Sequence, residues 1–137
     1  MNFRDICRTQ LKVDEDVRSK LYKDSLGIWT IGVGRNVQEK GLRPDEIDLL
    51  LSNDMADAEL DARALVSGFD DLSDNRKAAL LNMSFNLGKP RMAGFRNMLA
   101  AIQAQDFDKA ADAMLDSLWA RQVGDRAKRL AKMMREG

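Results

Sequence analysis

Two carboxylates nine residues apart, Glu15 and Asp24, and a hydroxyl six residues further on, Thr30, are the groups in this chain best placed to do chemistry together. The sequence holds no histidine and one cysteine. That removes Ser-His-Asp and Cys-His catalysis, histidine-bearing zinc sites and imidazole acid-base chemistry. Any proton transfer then falls mainly on Asp, Glu, Lys or Tyr. Paired carboxylates are the strongest remaining option, and glycoside hydrolysis is the reaction that uses them: one acid protonates the leaving oxygen while the second carboxylate activates water or attacks the sugar. Spacing alone does not select this chemistry, because an acidic pair at this distance reads more readily as solvated loop charge.

The elements around these residues follow from periodicity and punctuation. Asn2 caps a predicted first helix whose apolar stripe (Phe3, Ile6, Cys7, Leu11) implies packing on a core, with Cys7 as a small buried hydrophobe rather than a nucleophile. Ile28, Trp29, Thr30, Ile31 and Val33, bracketed by Gly27 and Gly34, predict a strand paired with Leu21–Lys23 across a turn at Asp24–Gly27, with a short third strand around Val37–Glu39. Pro44 opens a long helix with one apolar face for about five turns. Ser73 or Asp74 caps a helix, Arg76–Leu87, that is apolar on nearly all sides and therefore central. One or two short helices follow over Met92–Gln105, another over Phe107–Leu118, and a final basic one after Gly124. Both tryptophans, Trp29 and Trp119, are expected in the core.

Length and composition set the frame. At 137 residues the chain supports one domain with a sizeable core, and no apolar run is long enough to span a bilayer. A single cysteine excludes an internal disulfide. The N-terminus lacks the apolar core of a secretory signal, so synthesis in the cytoplasm is expected. Formal net charge is zero, from 22 basic and 22 acidic residues, which argues against a nucleic-acid partner held by bulk charge. The ten acids between Pro44 and Asn75 and the six basic residues after Leu118 read as solvated helix faces.

The segment Asp14-Glu15-x-x-Arg18-x-x-x-Tyr22-Lys23-Asp24-x-x-Gly27-x-x-Thr30-Ile31-Gly32-x-Gly34 resembles the catalytic signature of the tailed-phage lysozymes, glycoside hydrolase family 24. The likeness continues in order through Leu81-Asn82-Met83-Ser84-Phe85-Asn86-Leu87-Gly88, Ala93-Gly94-Phe95-Arg96-Asn97, and Trp119-x-x-x-x-x-Asp125-Arg126-Ala127-Lys128-Arg129, covering almost the whole chain. It implies an α+β, mostly helical, two-lobed fold. In it a small β-hairpin lobe (about 13–43) is linked by a long helix (about 44–66) to a helical lobe (67–137 with helix 1–12), with a cleft between.

The same resemblance implies a muramidase that cleaves the β-1,4 bond between N-acetylmuramic acid and N-acetylglucosamine in peptidoglycan, with inversion. Glu15 would be the general acid, Asp24 the second carboxylate, and Thr30 the hydroxyl that positions water. Inversion needs room for that water, so the carboxyls should stand on the order of 6.5 to 9.5 Å apart. Asn36, Phe85 and Asn86 would contact sugar, and Arg126 would support the acid. No metal or cofactor, no nucleic-acid partner and no stable membrane association is expected, and the protein should be a monomer. It would reach the wall after lysis or holin action, or within a virion. Asp16 and Arg35 depart from the family pattern, where glycine is common and histidine occurs, and Asp16 adds charge beside Glu15. A non-catalytic wall-binding or virion protein on the same fold is the alternative, and a helical nucleic-acid binder is a third reading.

Overall fold

The computed structural model describes residues 1–137 and is mostly helical with one three-stranded antiparallel sheet, an α+β arrangement. Its elements are helix α1 (Phe3–Asp14), strands β1 (Arg18–Lys23), β2 (Trp29–Gly32) and β3 (Arg35–Asn36), and helices α2 (Val37–Lys40), α3 (Pro44–Leu65), α4 (Asp74–Leu87), α5 (Lys89–Ala93), α6 (Arg96–Gln103), α7 (Phe107–Leu115), α8 (Leu118–Val123) and α9 (Asp125–Glu136). A 3₁₀ turn, Phe69–Asp71, precedes α4. The chain divides into two compact units, Met1–Leu49 and Leu50–Gly137. The division falls inside α3, and α1 lies in the same unit as the sheet.

In the first unit the strands run in the order β1-β2-β3, and the register aligns Tyr22, Thr30 and Asn36 in one row across the sheet. The third strand is Arg35–Asn36, not Val37–Glu39. Asn36 terminates it by accepting the Glu39 N–H at 3.0 Å, which turns Val37–Lys40 into one turn of helix. Helix α1 is well formed, capped by Asn2 through the Asp5 N–H, yet none of its residues is buried and Cys7 is exposed. The expected core packing of that stripe is therefore not present: periodicity marks an apolar face without naming what covers it. Trp29 is also exposed, with the Lys23 ammonium 5.0 Å from its ring centre.

The second unit holds the hydrophobic core. Helix α4 contributes Ala79, Leu80, Met83 and Leu87, which meet Met98 and Ile102 of α6, Ala111 and Met114 of α7, and Leu130 and Met134 of α9. Methionine fills much of this interior, suiting the irregular gaps between short helices. The helix expected over Phe107–Leu118 is two, because the Ser117 hydroxyl accepts the Ala120 N–H at 3.0 Å and restarts the chain as α8. Trp119 is buried as expected. Its ring lies edge-on to Phe95 with centroids 6.0 Å apart, and its indole N–H donates to Asn86 Oδ1 at 2.8 Å. Arg76 at the start of α4 donates to the Met134 carbonyl at 2.8 Å and stacks over Phe107, satisfying the C-terminal end of α9.

Leu80→Ala should lower unfolding free energy by about 2–5 kcal/mol in urea titrations. Asn86→Ala strands the buried Trp119 N–H and should cost about 1–3 kcal/mol in the same measurement, with a change in Trp119 emission.

Candidate active site

The turn between β1 and β2 is built on the backbone of one residue, Ile28. The Asp24 N–H donates to the Ile28 carbonyl at 3.0 Å, the Ile28 N–H returns to Asp24 Oδ1 at 3.0 Å, and the Leu26 N–H also donates to that oxygen at 2.8 Å. Asp24 thus occupies an Asx turn of its own making, closed by Gly27 at φ +77°. Thr30 joins the same carbonyl, its hydroxyl donating to the Ile28 oxygen at 2.9 Å. Asp24 and Thr30 are thereby held on a shared anchor. The bond leaves Asp24 Oδ2 outside the turn and the Thr30 oxygen with its acceptor lone pairs free. Thr30 is also buried, although it is polar.

Glu15 lies at the C-terminal end of α1, where its N–H donates to the Leu11 carbonyl at 2.9 Å. Its side chain rests over Gly34 in the turn between β2 and β3, closely enough that a methyl group at Gly34 would stand 2.5 Å from Glu15 Oε2. The acid therefore sits on the turn that follows β2, and Asp24 hangs from the turn that precedes it. Asp16, where relatives commonly have glycine, takes the left-handed conformation at φ +67°, which Asp tolerates better than most residues. Its carboxylate accepts the Val17 N–H at 2.9 Å and lies 3.4 Å from Arg18 Nε, so its charge is engaged locally. Arg35 forms an ion pair with Glu46, whose other oxygen accepts the Arg43 N–H at 2.7 Å.

Asn36 uses both ends of its amide in the α2 cap, the carbonyl toward the Glu39 N–H and the amino group toward Glu39 Oε2 at 3.2 Å. A sugar contact from Asn36 is left with its remaining carbonyl lone pair and amide hydrogen.

In the second unit Phe85 is half exposed and lines an apolar groove of about 310 Å³ with Leu51, Met55, Ala78, Leu81 and Arg126. Arg126 Nε donates to Asn82 Oδ1 at 2.9 Å, which orients the guanidinium from α4. Asn86 accepts from Trp119 and keeps its amide hydrogens free. Gly34, against which the Glu15 side chain lies, and Ile28, whose backbone holds Asp24 and Thr30, are contacts that sequence reading missed. Ile28 acts through its backbone, which carries no residue-type signal, and the Gly34 signal, a glycine closing the strand, was read only as punctuation.

The phage lysozyme family model matches residues 12–136. The chain is 34% identical to the endolysin of Salmonella phage P22, over 81% of this chain and 78% of that protein. It is 29% identical to the pre-baseplate central spike protein Gp5 of Enterobacteria phage T4, over 93% of this chain, but spans only 27% of the spike protein's length. It is 24% identical to probable T4-type lysozyme 2 of Dictyostelium discoideum, over 95% of this chain and 94% of that protein. The spike alignment runs to 155 positions, more than the 137 residues here, so that relative carries segments this chain lacks. Near-complete coverage by the family model places the chain in the phage lysozyme family.

Proposed function

We propose that the protein is a muramidase that hydrolyses the β-1,4 bond between N-acetylmuramic acid and N-acetylglucosamine, with inversion at the anomeric carbon. The observation that carries this reading is the common anchorage of Asp24 and Thr30 on the Ile28 backbone, whose carbonyl accepts from both the Asp24 N–H and the Thr30 hydroxyl and whose N–H donates to the Asp24 carboxylate. Both groups then present acceptors, Asp24 Oδ2 and the Thr30 oxygen. A water that gives one hydrogen to each is left with a lone pair for the sugar. Glu15, on the far side of β2, acts as the acid. Its proton passes to the glycosidic oxygen as the C–O bond breaks, the water oxygen bonds to the anomeric carbon, and Asp24 takes the proton that the water releases. Solvent exchange returns both carboxyls to their starting forms. Asp24 and Glu15 are seated at opposite ends of β2 and not on one another, as an inverting pair with a water between its members requires.

Asn36, Phe85 and Asn86 as sugar contacts and Arg126 as support for the acid are assignments of the same kind. The names of the relatives, an endolysin and a virion spike, support peptidoglycan as the substrate and host-cell lysis or a virion-borne role as the setting.

Release of reducing ends from purified peptidoglycan is the test. Wild type should release them, Glu15→Gln should be slower by about a hundredfold or more with its circular dichroism unchanged, Asp24→Asn should also be impaired, and Thr30→Ala less so. Equal rates for wild type and Glu15→Gln contradict the role given to Glu15. Wild-type protein that sediments with peptidoglycan and releases nothing is instead the non-catalytic binding protein.

A further inference from the structure

The turn Gly32-Val33-Gly34 contains two glycines with positive φ, +70° and +63°, and they differ in one respect. A methyl group built on Gly32 meets nothing within 4 Å, whereas one built on Gly34 falls 2.5 Å from Glu15 Oε2, 2.9 Å from its Cδ and 3.0 Å from its Cβ. Backbone handedness explains glycine at both positions. Only Gly34 is also a seat for a side chain.

Accepting the muramidase reading, on which the inference rests, we infer that Gly34 is a positioning residue for the general acid: the side chain it lacks is the space that the Glu15 carboxyl occupies. The turn cannot readily retreat to make room for a methyl. Arg35, the next residue, is paired in register with Ile31 and held by its ion pair to Glu46. Glu15 is the part that yields, because it is exposed and its carboxyl is the far end of a flexible side chain. Gly34→Ala therefore displaces the acid from its seat with little additional loss of stability beyond the backbone strain that Gly32→Ala also suffers. The same contact ties the end of α1 to the turn that follows the strand carrying Thr30, so Gly34 sets the position of the acid relative to the hydroxyl.

The experiment compares wild type, Gly34→Ala and Gly32→Ala by kcat and KM on purified peptidoglycan and by the ¹³C resonance of the Glu15 carboxyl. Gly34→Ala should lose about 10- to 100-fold in kcat with KM nearly unchanged, and its Glu15 resonance should move. Gly32→Ala should keep both kcat and the resonance near wild type. Equal losses in the two variants, or an unmoved Glu15 resonance in Gly34→Ala, would overturn the inference. If Gly34→Ala is too unstable to assay, recovery of its folding in the Glu15→Ala background supports the contact, and no recovery overturns it. A wild type that is folded but inactive refutes the muramidase reading alone, and the carboxyl resonances then decide whether Gly34 seats Glu15.

Discussion

Three hydrogen bonds converge on the backbone of Ile28, and the geometry of the first unit depends on them. They close the hairpin turn, fix the Asp24 carboxylate and orient the Thr30 hydroxyl at once. A backbone anchor of this kind is rigid because the planar peptide groups on either side of the Ile28 Cα have no rotamers to lose, and it leaves the Ile28 side chain free to vary. The unit needs such an anchor. Thr30 is its one buried residue, so hydrogen bonds and the Arg35–Glu46 pair, rather than an apolar interior, hold it together.

The second unit is organised in the opposite way. Its methionine-rich core around α4 buries large side chains completely, and its polar exceptions, Ser84 against the Ala58 carbonyl and Trp119 against Asn86, are satisfied. Stability thus concentrates in Leu50–Gly137, while the three proposed catalytic groups lie in Met1–Leu49. A chain of this size can then carry its acid, its second carboxylate and its water-holding hydroxyl on a lightly built sheet without drawing on that sheet for its core.

Much of this was legible in the sequence because it rests on local rules. The Asp24–Gly27 turn and the central helix ending at Leu87 follow from residue types whose backbone preferences are strong. The errors came where a side chain competes with the backbone pattern. Asn36 ends β3 by capping α2, and Ser117 splits a helix that apolar periodicity would carry through. Burial was misjudged for Cys7 and Trp29, since a stripe or an aromatic ring does not say what lies against it. Among the proposed site residues, Glu15, Asp24 and Thr30 were found from acid-base chemistry and family resemblance. Ile28 and Gly34 were not, because one acts through its peptide and the other through a missing side chain.

The central claim is that Asp24 and Thr30 hold a water that attacks directly, with no covalent sugar-enzyme intermediate. Proton NMR of the reducing ends formed in the first moments of peptidoglycan hydrolysis tests it most directly, before mutarotation mixes the anomers. Direct attack on a β-linkage predicts that the α-anomer appears first. Initial formation of the β-anomer would mean retention through a covalent or equivalent intermediate, and would contradict the account.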